Sequence, residues 1–330
     1  MSSFNAFKPP IKNGVGPSTV GVPSKTKLPA IEFLASKFCN ISLAQWQQRF
    51  DAGEILNSMG RIMSTQDSLM GESHLHYYRR IEDEPILPFK AQIIFQDDRL
   101  VVADKPHFMP VTPGGRYLQQ SLLVQLKQQL NLPELSPVHR IDRDTAGLVV
   151  FCMRSQDRNA YQELFRLRQV EKTYEAIAAV PETSTQYPAF PLIHKSMMVE
   201  DTQFFRMREV TANEYADAAN YNSETWIDCV ERLDFNASVR PSSEPTGQAL
   251  ARYLLKPFTG QRHQLRVHMN ALGLPLVGDQ FYPVVKRSVD AQDDFNSPLQ
   301  LLAKTISFHD PFTGARRTFE SDRQLRPSSS

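Results

Sequence analysis

Apolar residues first recur at helical spacing at Ile31, Phe33, Leu34 and Phe38. That spacing places them on one face and predicts a helix. Asn40, Ile41 and Ser42 interrupt the pattern. Ser42 is suited to cap a second helix carrying Leu43, Trp46 and Phe50. Gly53 stands where that helix would end through a left-handed turn. Short strand patterns follow at 54–56 and 74–78. Residues 27–82 therefore read as a small α+β module. Residues 1–26 hold four prolines and three glycines without either period, and read as a flexible tail. Residues 83–90 read as an acidic, proline-containing linker, and 326–330 as a second short tail.

The larger domain is expected over 91–325. Strand patterns at 93–95 and 100–103 flank a turn at Asp97 and Asp98. Leu122, Leu123 and Leu126 mark a helix over 121–130. A continuous apolar run at 147–153 predicts a buried strand, followed by a helix over 156–168 and a strand over 173–180. Residues 181–225 mix prolines and polar groups and suggest hairpins or an insertion. A strand over 252–256, a turn at Thr259 and Gly260, and a helix over 263–272 complete the pattern. Helices and strands intersperse without a regular βαβ repeat. That favours an α+β fold with a mixed sheet over a doubly wound one.

Composition adds exclusions. Of 330 residues, 41% are hydrophobic and 22% charged, too apolar for wholesale disorder. No apolar stretch approaches the roughly 20 residues of a membrane-spanning helix. The first residues lack the apolar run of a secretory signal. Cys39, Cys152 and Cys229 are too few and too scattered for a disulfide framework or a zinc motif. A cytoplasmic protein with reduced thiols is expected. No GxSxG, HExxH, P-loop or complete GxGxxG occurs, so neither metal nor cofactor is expected.

The net charge of 37 − 36 = +1 does not by itself indicate nucleic-acid binding. The distribution is more telling, since binding responds to local fields. Arg252, Lys256, Arg262 and Arg266 lie close together with His263 and His268 and no acidic residue among them. Arg262 and Arg266 would share a helix face, as suits contact with phosphates. A solvated basic face has the same composition. A second cluster, His139, Arg140, Asp142, Arg143, Asp144 and Thr145, runs directly into the apolar strand that starts near Gly147. A loop fixed at a strand end is a common seat for catalytic residues. A salt-bridged turn is the plain alternative. Tyr174, within Lys172, Thr173 and Tyr174, has no internal mark that separates it from a core tyrosine.

Taken together, these segments resemble the RluA-type family of RNA pseudouridine synthases over about residues 91–320. The hairpin ending in Lys105 and Pro106 looks like the family's opening. The His139 to Asp142 string, followed by Asp144, Thr145, Ala146, Gly147 and Leu148, looks like its catalytic loop. Lys172 to Tyr174 looks like its tyrosine strand. Thr259, Gly260, His263 to His268, Gly273 and Pro275 to Asp279 look like its third motif. Two departures are small: Gln261 follows Thr-Gly where a basic residue is frequent, and Ala146 stands where serine is frequent. Residues 27–82 are similar, more loosely, to the small RNA-binding module that often precedes this domain. Their few basic residues include Lys37, Arg49 and Arg61.

The resemblance implies a pseudouridine-synthase-like central sheet, mixed but largely antiparallel, flanked by helices. It implies an RNA substrate, ribosomal large-subunit RNA or tRNA, no cofactor, no membrane and a monomer. By resemblance Asp142 is the catalytic carboxylate, Arg266 the cation beside it, and Tyr174 the ring against the uracil. RNA contacts are expected at His139, Arg140, Arg143, Thr145, Arg262, His263 and Gln264. Arg140, beside the aspartate, could fill the space vacated by a flipped base. Two other readings are a non-catalytic RNA-binding protein on the same scaffold and a glycosidase. The latter needs two paired carboxylates, and Asp144 is the nearest candidate.

Overall fold

The computed structural model describes residues 7, 9–180, 189–202, 206–210, 214, 220–233, 249–286, 288 and 291–326. The chain divides into two units. One comprises Met1–Pro85, Pro113–Gln120 and Val124–Pro133; the other comprises Ile86–Thr112, Ser121–Leu123 and Glu134–Ser330.

In the first unit, β1 (Ser18–Gly21) precedes α1 (Ala30–Lys37), α2 (Leu43–Asp51), β2 (Ile55–Asn57) and β3 (His74–Tyr77). Ser42 caps α2 as its type and position predict. Its hydroxyl accepts the Gln45 N–H at 3.2 Å, and the Gln45 side-chain oxygen accepts the Ser42 N–H at 3.0 Å. This reciprocal pair satisfies two donors at the helix start. Gly53 adopts φ +63, the left-handed exit expected of it. Phe33, Leu34, Trp46, Phe50 and Leu75 share one buried cluster.

The expected tail needs correction. Ser18–Gly21 pairs antiparallel with β3, and Val20 and Val22 enter the cluster. Four residues between prolines give too short an alternation to recognise, and the partner strand lies far along the chain. Residues 1–6 and 8, and 327–330 of the second expected tail, lie outside the described residues.

The boundary at 83–90 also shifts. The Glu84 carboxylate accepts backbone N–H groups of Leu118, Gln119 and Gln120 at 2.6–2.9 Å. Val15, Leu118 and Val124 pack together. Parts of 113–133 thus belong with the first unit rather than with a continuous domain over 91–325.

After these come β4 (Gln92–Gln96), β5 (Leu100–Lys105), α3 (Leu122–Leu130), β6 (Ser136–Pro137), β7 (Ala146–Cys152), α4 (Arg158–Arg166) and β8 (Glu171–Ala179). Then follow β9 (Leu192–Ser196), β10 (Met198–Glu200), β11 (Met207–Glu209), β12 (Ser223–Leu233), β13 (Leu250–Pro257), α5 (Gln264–Ala271), β14 (Leu301–His309) and β15 (Arg316–Glu320). Among the described residues, ten strands form one sheet in the second unit. Its path is β4-β5-β7-β14-β8-β13-β12-β9, with β15 on β14 and β6 on β7. Every pairing is antiparallel except β7 with β14. This is the mixed, largely antiparallel sheet that was expected.

All seven residues of β7 are buried, which accounts for its unbroken apolar run. Tyr161 and Leu164 of α4 pack with Leu100, Leu148 and Val150. Leu265 and Met269 of α5 pack with Ala176, Tyr253 and Leu255. Each sheet region therefore carries its own helix. Strands β12, β14 and β15 had no clear sequence signal. Within 181–225, β10 and β11 form the expected hairpin, while 181–188, 203–205, 211–213 and 215–219 lie outside the described residues.

Candidate active site

The parallel pair β7 and β14 fixes where the polar loop 139–145 ends. Gly147 sits opposite Ala303 with φ +109. A Cβ there would lie 2.3 Å from the Ala303 carbonyl oxygen, so the backbones approach as only glycine allows. Immediately before it, the Thr145 N–H donates to the Asp142 carbonyl at 3.2 Å and closes a turn. The Asp142 side chain remains 28% exposed, enough to meet a substrate.

Arg266, on α5, is 2% exposed and carries the key electrostatic contact. Its Nε and Nη2 donate to the two carboxylate oxygens of Asp279 at 2.8 and 2.6 Å. Its Nη1 lies 3.7 Å from Asp142 Oδ2. The fork fixes the planar guanidinium, and the remaining nitrogen faces the Asp142 carboxylate. The rings of Phe281 and Tyr282 lie 5.1 and 5.3 Å from the guanidinium carbon. Burial pulls the Arg266 pKa down, but Asp279 and then Asp142 outweigh it and hold the group above its ordinary value.

Asp279 is itself fixed by the N–H groups of Phe281 and Tyr282, at 2.8 and 3.1 Å. Before it, Gly278 has φ +75, and a Cβ there would meet the Pro298 carbonyl at 2.3 Å. The Gly-Asp pair of the third motif is thus one device, a close backbone turn and the carboxylate it positions.

Tyr174 lies on β8, opposite Ala303 of the intervening β14. Burial raises its hydroxyl pKa, and the charge of Asp142 raises it further. The phenol is therefore held neutral within the field of Asp142. Beneath the loop, Lys105 is wholly buried, and its Nζ donates to the carbonyls of Pro106 and Arg143, both at 2.9 Å. Burial pushes Lys105 down to about 7, partly offset by Asp144 and Asp142. His107 Nδ1 lies 2.7 Å from the Asp144 carbonyl. The loop backbone is thus held by side chains that precede it by more than thirty residues.

The structure separates the expected RNA contacts. Arg140 is exposed, and so is Arg262, whose Nη1 lies 3.4 Å from the exposed carboxylate of Glu200. His263 is half-buried at φ +56 and bonds to the Tyr282 hydroxyl at 3.0 Å. Arg143 is engaged by Asp144 at 2.6 Å and by the Asp293 carboxylate at 2.9 and 3.1 Å.

Two expectations are corrected, at Thr145 and Gln264, while His139 is tied to the sheet on one side. His139 accepts the Val150 N–H through Nε2 at 3.1 Å and stacks on Phe165. Burial, and then Lys172, push it down to about 3, so it is neutral at pH 7. Thr145 is buried in the turn. Gln264 is buried and bonded to Thr259, Thr225 and the Glu224 carbonyl. Both amide hydrogens of Gln264 are donated inside the fold, so none is left for a phosphate. In the first unit, Arg49 lies over the Trp46 ring and Arg61 pairs with Asp67.

Lys105 and Asp279 stood inside recognised strings but had no assigned role. A lysine ending an otherwise apolar strand was the available signal for the first. Asp293 lies in an undistinguished polar run and gave none.

The profile of the RNA pseudouridylate synthase family matches residues 99–271. The chain is 31% identical over 225 residues to the dual-specificity RNA pseudouridine synthase RluA of Vibrio vulnificus, covering 67% of this chain and 78% of that one. It is 29% identical over 230 residues to RluA of Escherichia coli, covering 69% and 91%. Among solved structures, human RNA pseudouridylate synthase domain containing 4 superposes with a TM-score of 0.50 at 25% identity, covering 71% of this chain and 88% of that one. Human RNA pseudouridylate synthase domain containing 1 gives 0.53 at 22% identity, covering 73% and 86%.

Proposed function

The chain belongs to the RluA-type family of RNA pseudouridine synthases, and on that premise we propose that Asp142 is its catalytic carboxylate, with Arg266 and Tyr174 as partners. The enzyme is an isomerase acting on uridine in RNA. The bond from the ribose carbon to uracil N1 breaks, and a bond from that carbon to C5 forms. The proton on C5 is lost and N1 gains one. Electrons and atoms balance without oxidant or reductant, so the reaction itself calls for side chains that act on charge and protons.

The observation that carries the assignment is the 3.7 Å approach of Arg266 Nη1 to Asp142 Oδ2, with the other donors of Arg266 already committed to Asp279. A preorganised cation of this kind stabilises a carboxylate without having to reorganise during the reaction. Asp142 acts on the sugar or the base as nucleophile or base. Tyr174, neutral by virtue of its burial, offers the uracil a flat face and a hydroxyl. The target base leaves its stack at a cost of a few kcal/mol. Arg140, exposed beside Asp142, takes the vacated space, and Arg262 meets the backbone.

The substrate is structured RNA, with ribosomal large-subunit RNA and tRNA as the two classes proposed. Similarity to relatives named dual-specificity supports a reading in which both are accepted. The test is tritium release from C5-labelled uridine in separate pools of the two RNAs. Wild type is expected to release tritium, and Asp142→Asn to lose at least about three orders of magnitude in rate while binding RNA within a few-fold of wild type. Binding by wild type without release from either pool would leave a non-catalytic RNA-binding protein. Loss of binding in step with activity would remove Asp142 from its assigned role.

A further inference from the structure

Away from Asp142, three elements bring two imidazoles and a carboxylate together. His194 lies on β9, Glu209 on β11 and His268 on α5. His194 Nε2 is 2.8 Å from Glu209 Oε1, and His268 Nε2 is 3.9 Å from the same oxygen. One potential ligand atom from each residue lies within 4.8 Å of the other two. The imidazole rings meet edge to face with centroids 4.7 Å apart. A tetrahedral zinc ion with bonds of about 2.0–2.1 Å holds its ligands roughly 3.3 Å apart. Side-chain shifts of about 1 Å would therefore convert the cluster into a coordination sphere.

The surroundings of His268 are polar on its Nε2 side. His268 is completely enclosed, yet its Nδ1 has no hydrogen-bond partner among the described residues. Its Nε2 faces the hydroxyls of Ser223 and Ser196, at 3.0 and 3.2 Å, as well as Glu209. The ring nitrogen placed toward Glu209 is therefore Nε2, and this is the atom an ion would take. The side chains of His194 and Glu209 are 20% and 22% exposed, which leaves an ion a way in from solvent.

We propose that His194, Glu209 and His268 bind one zinc-class divalent cation, with the fourth position left to solvent, and that the ion ties β9 and β11 to α5. Two nitrogens and one carboxylate suit zinc, and by the usual order of stabilities also copper or nickel. The role is structural. Helix α5 also carries Arg266, so the tie fastens an element on which the reaction depends. The three ligands come from separate elements, which is why no metal-ligand spacing appears in the sequence.

Full-length, tag-free protein stripped with chelator and titrated with Zn²⁺ against a chromogenic chelator tests this. One zinc per chain is expected, with a dissociation constant of about 1 μM or tighter. Glu209→Gln and His194→Gln alter partly exposed side chains and are expected to weaken binding at least about 100-fold with unchanged circular dichroism. His74→Gln, at a second close histidine pair, is expected to keep the site. Zinc is also expected to raise the melting temperature of wild type and not of Glu209→Gln. Absence of stoichiometric zinc in wild type, or wild-type affinity in both Glu209→Gln and His194→Gln, would overturn the proposal. Should a variant fail to fold, X-ray absorption of the zinc-loaded wild type decides: two imidazole nitrogens support the site, and any other ligand set rejects it.

Discussion

Asp279 holds Arg266 through two hydrogen bonds of 2.8 and 2.6 Å, and both side chains are almost wholly buried. The pair lies out of contact with bulk water, so its charges must balance one another. Asp142, 3.7 Å from the same guanidinium, is then a second anion on a cation already committed.

Asp279→Asn keeps the shape of this pair and removes its charge. Arg266 would be left buried without its main counter-ion. Unfolding in urea is expected to register a loss of about 3–5 kcal/mol. A loss below about 1 kcal/mol would mean that solvent reaches the pair.

Gly147 meets Ala303 too closely for any side chain. Gly147→Ala places a Cβ 2.3 Å from a carbonyl oxygen at a backbone angle alanine avoids. The expected cost is about 3 kcal/mol or more, because two core strands must separate. Thermal unfolding of the purified variant measures it, and an unchanged melting temperature would contradict the close approach.

Lys105→Met removes the donor that holds the Pro106 and Arg143 carbonyls. Two acceptors lose their partner, and a loss of about 1–3 kcal/mol is expected. Its pH dependence is a sharper signature. In the folded chain Lys105 is pushed down to about 7 from 10.5. Between those values the unfolded chain binds the extra proton, so this residue's contribution to stability rises with pH. Denaturant curves from pH 7 to 10 are expected to have a smaller upward slope in the variant than in wild type. Identical slopes would show that Lys105 titrates normally.

His139 works in the acid range. It accepts the Val150 N–H, a bond that protonation destroys, and its folded pKa is pushed down to about 3 from 6.5. Its stabilising contribution is present above about 6.5 and is lost as pH falls through the interval toward 3. His139→Phe is expected to flatten the stability profile between pH 6.5 and 4, whatever its effect at neutral pH. A profile parallel to wild type would place the proton elsewhere.

The helical periods around Leu34 and Trp46, the Ser42 cap, the buried run of β7 and the loop before it were legible because they depend on neighbours within a few residues. So were Asp142, Tyr174 and Arg266 as candidates, through the order of their strings and a family resemblance. Which side chains in those strings would face solvent was not legible. Thr145 and Gln264 have the polar chemistry of RNA contacts, but both are buried, and the Gln264 amide is satisfied inside the fold. Arg140 has the same kind of chemistry and stays exposed. Likewise Ser18–Gly21 carries too few residues to declare a strand until β3 supplies the edge it pairs with. Local periodicity and capping determine where elements form. Burial, the balance of buried charge and the meeting of His194, Glu209 and His268 depend on contacts distant in sequence, and only the packed chain decides them.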